Sequence, residues 1–307
     1  MNPRELSVVT TLYNSFDYIE EFIERVVTVT EKLGLETEII LVNDGSPDKS
    51  LSKAIEIQQK FNNIKVVDLS RNFGHTAARF TGLRLATKNE IFLIDVDLEE
   101  SPEWLDDFLR KKDEMEADVV YGVQTRRKGT FFDRVSGYLF YRLVNIGADV
   151  AVPINPVTAR LMSRNYLNSL LEFNETNPFL AGIWALTGYK QEPFFLQKEY
   201  RGATNYTIKN KFKIALRDIV AFSTLPLKAV FGFSQFFFIS GLVGASYLVI
   251  NSITSSSYPP GWLTTLLAVW FFAAIQIFCL GIIGMYLAQI SLEVKNRPQS
   301  FIKRIYE

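Results

Sequence analysis

The chain has 307 residues, with 33 Lys and Arg balanced by 33 Asp and Glu, one His, one Cys and 48% hydrophobic residues. The single Cys279 excludes an internal disulfide and a Cys-based zinc site, and the single His75 excludes a multi-His metal centre. Lys and Arg are scattered rather than striped through the first 228 residues, so no nucleic-acid partner is expected.

Glu5 falls where a signal peptide would begin its apolar core, so the first domain is expected to stay unexported. Short β-branched runs then alternate with helical stretches. Strands are predicted at Leu6–Leu12, Glu38–Val42, Ile64–Leu69, Glu90–Ile94 and Asp118–Gly122. Helices are predicted near Asp17–Leu33, Asp48–Phe61, Gly74–Ala86 and Pro102–Met115, with a further one over Asp133–Val144. This alternation argues for an α/β fold, a mostly parallel sheet flanked by helices.

Charge then disappears. No Asp, Glu, Lys or Arg occurs from Ala229 to Leu292, a run of 64 residues, and sixty of the 66 charges precede it. A polar turn at Asn251 to Gly261 divides the run into Leu227 to Ile250 and Trp262 to Ile290. Each half exceeds the roughly 20 residues a helix needs to cross a bilayer, so a two-helix transmembrane hairpin is expected. Lys209, Lys211, Lys213, Arg217 and Lys228 flank the first half, and Lys295, Arg297, Lys303 and Arg304 follow the second. The positive-inside rule puts both ends in the cytoplasm. Between Ile208 and Phe222, apolar residues at three- and four-residue spacing oppose the basic ones, the pattern of a helix lying in the membrane interface. The expected organisation is a catalytic domain over 1–206, an amphipathic juxtamembrane helix over 207–226, the hairpin over 227–290 and a cytoplasmic tail over 291–307. Small residues in the hairpin (Gly241, Gly244, Ala245, Gly281, Gly284) leave faces suited to packing against further copies, a homo-oligomer.

Ligands of parallel α/β sheets bind beyond the carboxyl ends of the strands. Here those ends run into Tyr13-Asn14, Asn43-Asp44-Gly45-Ser46, Ser70-Arg71-Asn72 and Asp95-Val96-Asp97-Leu98-Glu99. No Gly-x-Gly-x-x-Gly follows the first strand and no Gly-x-x-x-x-Gly-Lys-Ser/Thr occurs, so dinucleotide oxidoreductases and P-loop nucleotidases lose their support. Asp95 and Asp97 are two residues apart where a strand ends, and a chain turning there can aim both carboxylates into one site. Hard oxygen ligands of this kind suit Mg²⁺ or Mn²⁺, with remaining positions filled by water and substrate phosphates. A solvated turn or a helix cap is the competing structural reading of the same pair.

Asn43-Asp44-Gly45-Ser46-Pro47-Asp48, Ser70-Arg71-Asn72-Phe73-Gly74 and Asp95-Val96-Asp97-Leu98 with Pro102-Glu103 resemble successive motifs of family 2 inverting glycosyltransferases with a GT-A fold. The stretch from Gln276-Ile277 through Leu280-Gly281-Ile282-Ile283-Gly284 to Asn296-Arg297-Pro298 resembles the membrane tail of the polyisoprenyl-phosphate subgroup, which includes bactoprenol glucosyltransferases and dolichol-phosphate mannose synthases. The resemblance spans nearly the whole chain. It implies a nucleotide diphosphate sugar donor, a divalent cation and a polyprenyl phosphate acceptor such as undecaprenyl phosphate, at the cytoplasmic face of a bacterial inner membrane.

By that resemblance, Tyr13, Asn14, Asp44, Arg71, Asp95 and Glu99 serve the donor, and Asp95 and Asp97 hold the metal. Glu99 stands where the family usually has Gln. Arg126, Arg134, Arg160 and Arg201 are assigned to the acceptor phosphate, and Asp97, Arg126 and Arg134 to catalysis. Guanidinium suits bidentate phosphate recognition. The chain also departs from the family: Asn155 and Thr158 replace acids, Asn205 replaces a common Lys, and His75 stands where relatives often have Lys. A hydroxyl acceptor needs a general base, whereas a lipid phosphate is already an anion. The departures therefore fit a phosphate acceptor, and they keep two rivals in view: transfer to a hydroxyl of a lipid-linked saccharide, and a catalytically impaired membrane scaffold.

Overall fold

The computed structural model describes residues 4–125, 142, 145, 150–173, 175, 178–197, 225–254 and 261–307. The expected elements at Asp133–Val144 and Ile208–Phe222, and the side chains of Arg126, Arg134, Arg201 and Asn205, lie outside the described residues.

Four strands, β1 (Glu5–Leu12), β2 (Glu36–Asn43), β3 (Ile64–Leu69) and β4 (Glu90–Leu93), alternate with α1 (Ile19–Lys32), α2 (Ser50–Gln58) and α3 (His75–Leu85). β1 pairs in parallel with both β2 and β4, and β2 pairs in parallel with β3. Val8, Val9, Ile39, Ile40, Val66 and Val67 are all buried, as a parallel sheet covered on both faces requires. α1 buries Ile19, Phe22, Ile23, Val26 and Val29 on one stripe, with Glu20 and Glu21 at its N-terminus and Lys32 at its C-terminus opposing the helix dipole.

The sequence leads one to expect β5 (Val119–Gln124), which follows α4 (Trp104–Glu114), as the next parallel strand. Instead, β6 (Pro156–Ser163) lies between β4 and β5 and runs antiparallel to both. After α5 (Arg164–Leu170) and α6 (Leu180–Leu186), β7 (Gln191–Leu196) pairs in parallel with β5. The full order is β7-β5-β6-β4-β1-β2-β3-β8, a mixed sheet of eight strands. Local pattern does not announce β6, because its register is set by partners 33 to 73 residues away.

The two long apolar helices are α7 (Leu225–Thr254) and α8 (Trp262–Val294). At 1.5 Å per residue they extend about 45 and 50 Å. Ala268–Val294 is long and apolar enough to cross a membrane, and Trp270, Ile277, Phe278 and Leu280 are exposed along it. The helices touch through Phe237, whose ring centroid is 6.1 Å from Phe271 and 6.2 Å from Phe272. The last residues do not trail away as a free tail. They form β8 (Ile302–Tyr306), antiparallel to β3, and complete the edge of the catalytic sheet.

Candidate active site

The carboxyl ends of β1, β2, β3 and β4 form one polar edge. At its left side the turns after β1 and β2 are knitted together. The N–H of Asn14 donates to Ser46 Oγ at 2.8 Å, that of Ser15 to Ser50 Oγ at 2.9 Å, and Ser46 Oγ donates to Asp48 Oδ1 at 2.6 Å. Asn14 adopts φ 53°, a left-handed conformation that Asn tolerates better than most residues. Tyr13 remains 43% exposed beside it, available to a flat ligand.

Asp44 is buried, and its carboxylate accepts the N–H of Phe73 at 2.7 Å and of Gly74 at 3.0 Å. Burial pushes this carboxyl above its ordinary pKa, against the opposing pull of those two N–H groups and of nearby His75 and Arg71. Asp44 thus clamps the loop after β3 to the turn after β2. Each carboxylate oxygen can accept a second bond from a ligand. Gly45 makes the close approach possible: it sits at φ +59°, and a Cβ there would lie 2.5 Å from the backbone of both Arg71 and Asn72. Gly45→Ala is expected to cost on the order of 3 kcal/mol, because neither the left-handed backbone nor the facing main chain can yield cheaply. Thermal unfolding and nucleotide titration check this; a variant with unchanged unfolding temperature would contradict the close packing.

At the right side, residues after β4 alternate between two environments. Val96, Leu98 and Glu100 are buried, whereas Asp95, Asp97 and Glu99 are each half-buried on the opposite side. The chain has left the strand here and turns, and the alternation leaves Asp95, Asp97 and Glu99 partly open to solvent while their neighbours are covered. Leu98 adopts φ 59°, and the N–H of Glu99 donates to Asp97 Oδ1 at 3.0 Å, closing a tight turn. A buried Leu in the left-handed region stores strain of the kind that gathers at functional sites.

The two aspartates expected as a metal pair are not equivalent. Asp95 Oδ1 accepts from Arg79 Nη2 at 2.8 Å, and Asp95 Oδ2 accepts from the Thr158 hydroxyl at 2.8 Å. Arg79 Nη2 also donates to Thr158 Oγ1 at 3.0 Å. The result is a closed triad of carboxylate, guanidinium and hydroxyl, in which Asp95 is engaged by protein. Among the described residues, no group of three or more His, Cys, Asp or Glu side chains is arranged to hold a metal. The donors are nonetheless hard oxygens on one strand end, which fits a divalent cation drawing most of its ligands from a diphosphate and water. Asp95 and Asp97 are the two aspartates at that strand end.

Sequence reading missed Arg79 and noted Thr158 only for the acid it replaces. Arg79 lies four residues after His75, one helical turn, so its face was legible but its partner was not. Glu100, also missed, is fully buried and accepts the N–H of Thr158 at 3.0 Å, anchoring β6 to the acidic turn.

Arg160, assigned by resemblance to an acceptor phosphate, is 1% exposed. Its guanidinium lies 3.1 Å from the Trp184 ring centroid and 6.0 Å from that of Tyr121, and burial lowers its pKa to about 10. Nε and Nη1 of Arg160, and Nε1 of Trp184, are buried donors with no acceptor among the described residues. They border a pocket of about 220 Å³, its open mouth included, with Tyr121, Pro156 and Gln191. Arg160 is thus an interior wall rather than a surface contact. His75, by contrast, is exposed, with Nδ1 3.4 Å from the Thr11 hydroxyl oxygen. Arg71 is exposed and stacks over Phe73 at 4.1 Å.

An α/β sheet with an acidic turn at the carboxyl edge of its central strands is an arrangement suited to group transfer from a phosphorylated donor. Residues 7–171 match the family model for glycosyl transferase family 2, and the chain belongs to that family: it is a GT-A-like glycosyltransferase that uses a nucleotide sugar. A relative named as a glycosyltransferase in Mycobacterium tuberculosis (strain CDC 1551 / Oshkosh) is 37% identical over 301 residues, covering 98% of this chain and 88% of the relative. The uncharacterized glycosyltransferase sll0501 of Synechocystis sp. is 33% identical, covering 98% of this chain and 96% of its own. Among solved structures, glucosyl-3-phosphoglycerate synthase from Mycobacterium tuberculosis, in complex with Mn²⁺ and UDP-glucose, superposes with a TM-score of 0.49 at 19% identity. That superposition covers 71% of this chain and 77% of the other.

Proposed function

We propose that this enzyme moves a sugar from a nucleotide diphosphate to a polyprenyl phosphate at the cytoplasmic membrane face, anchored by α7 and α8 as two crossings. The observation that carries the reading is the attachment of the C-terminal strand. β8 begins at Ile302 opposite Leu69, at the carboxyl end of β3, and α8 ends at Val294. Eight Cα steps span no more than about 29 Å even when fully extended. The catalytic edge is therefore held near the end of a helix whose apolar side chains face outward, a position suited to a lipid-borne acceptor. The basic residues around α7 and α8 support a cytoplasmic placement of both ends.

In the proposed reaction, an oxygen of the lipid phosphate attacks the anomeric carbon. The bond from that carbon to the donor's β-phosphate oxygen breaks, the configuration inverts, and the nucleoside diphosphate leaves with the electron pair. A divalent cation, when bound, supplies charge neutralisation to the diphosphate. Asp97 and Asp95 would hold the cation, while Tyr13, Asn14, Asp44, Arg71 and Glu99 form the donor side. Arg126, Arg134, Arg160 and Arg201 are proposed for the acceptor phosphate. No protein base is required, since the nucleophile is already anionic. This accords with the hydroxyl of Thr158 being committed to Asp95.

The test is an assay of the purified full chain with Mg²⁺ or Mn²⁺ and a panel of nucleotide sugars, with polyprenyl phosphate present or absent. A mild-acid-labile lipid-phosphate sugar is the expected product. Transfer only to a lipid-linked saccharide would overturn the acceptor assignment, and absence of both transfer and donor hydrolysis would favour a scaffold.

A further inference from the structure

The C-terminal strand does more than seal the edge of β3. The N–H of Ser70 donates to the carbonyl of Phe301 at 2.9 Å, so the loop after β3 hangs directly from the segment that arrives from α8. Thr81 and Ser300 hydroxyls lie 2.6 Å apart, tying the same segment to α3. The Phe301 ring stands against Phe73, with centroids 6.0 Å apart at 54°, and the Arg71 guanidinium stacks on Phe73 as well. Phe73 and Gly74 provide the two N–H groups that grip Asp44. A short physical chain thus runs from the end of α8 through Phe301 and Phe73 to the buried carboxylate of the nucleotide turn. Each link is a packed or hydrogen-bonded contact.

Phe301 itself is 56% exposed, which is poor use of a large aromatic side chain if its role were core stability. β8 is held by its ladder to β3, with Lys65 paired to Glu307 at 2.8 Å and Lys303 to the buried Asp68 at 3.4 Å, and none of these contacts involves the Phe301 ring. Asp68 in turn accepts from Asn43 Nδ2 at 2.8 Å, one residue before Asp44.

We infer that Phe301 is a positioning residue for donor binding: it buttresses Phe73 so that the Phe73 and Gly74 N–H groups hold Asp44 in the conformation that receives the nucleotide. The inference rests on the assignment of Asp44 to the nucleotide. It makes the C-terminal segment, delivered by the membrane helix, part of the donor site.

Full-length Phe301→Ala, Phe301→Tyr and Asp44→Asn proteins test this. Uridine and guanosine diphosphates are each titrated calorimetrically with Mn²⁺, and donor KM, acceptor KM and kcat are measured beside thermal unfolding. An aromatic pair of this kind is worth about a threefold to tenfold change in Kd. Phe301→Ala should weaken the diphosphate that wild type binds, and raise donor KM, by that factor. Acceptor KM and kcat should stay within about twofold, and Phe301→Tyr should restore wild-type binding. Wild-type affinity in Phe301→Ala alongside weakened binding in Asp44→Asn would overturn the role of Phe301 alone. Unchanged binding in both variants, or no diphosphate binding by wild type, would sink the nucleotide assignment and the inference with it. A change confined to acceptor KM would mean that Phe301 contacts lipid instead.

Discussion

Asp97→Ala is expected to reduce sugar transfer by about 10³-fold, the loss that follows when roughly 4 kcal/mol of transition-state charge stabilisation disappears. The fold should survive. Asp97 is half-buried and lies in the turn beyond β4, outside the sheet ladder and the hydrophobic core. Turnover measured beside thermal unfolding and membrane insertion separates the two effects. Full activity in this variant would remove Asp97 from the metal and with it the proposed route for stabilising the leaving diphosphate. Asp97→Glu, which keeps the charge but lengthens the arm, should retain more activity than Asp97→Ala.

Arg79→Leu carries the second large effect, and it acts first on stability. Arg79 and Asp95 are 2.8 Å apart with side chains 15% and 18% exposed, so the pair is largely withdrawn from water. Removing one partner of a buried pair is far costlier than losing a surface ion pair, because the remaining charge keeps its desolvation penalty. A cost of about 2–4 kcal/mol is expected after allowance for the residual exposure, or roughly 5–12 °C in unfolding temperature. Activity should fall as well, since Asp95 and Thr158 lose the guanidinium that bridges them. Arg79→Lys keeps the charge but not the planar fork, and should lie between wild type and Arg79→Leu. An Arg79→Leu protein that unfolds within 2 °C of wild type would show that the triad contributes little.

The two variants probe different kinds of legibility. Asp97 was visible in the sequence because a strand-ending apolar run, Ile91 to Ile94, led into Asp95-Val96-Asp97, and β4 does end there. The same local logic located β1 to β5 and α1 to α4 to within a few residues, since burial period and turn chemistry are written in neighbouring positions. Arg79 was not visible as a site residue. Its partners are 16 and 79 residues away, on the ends of two strands that local pattern does not bring together. Asp95 was legible as an acid at the right edge but not as one already engaged by a cation. Arg160 shows the converse: a residue type suited to phosphate turned out to lie under Trp184, because β6 enters the sheet between β4 and β5 and directs that position inward.

By itself the amino-acid sequence determined the succession of β1 to β5 and α1 to α4, the acidic edge and the 64-residue charge-free segment, because all three depend on residue chemistry and spacing within a few turns of chain. Only the tertiary structure decided that β6 runs antiparallel at the centre of the catalytic sheet, that Asp95 is held by Arg79 and Thr158, and that β8 returns to β3. The reason is separation along the chain. Thr81 meets Ser300 across 219 residues, and such a contact is fixed by which strand edges and buried surfaces remain for the chain to cover, a property of the assembled fold rather than of either segment.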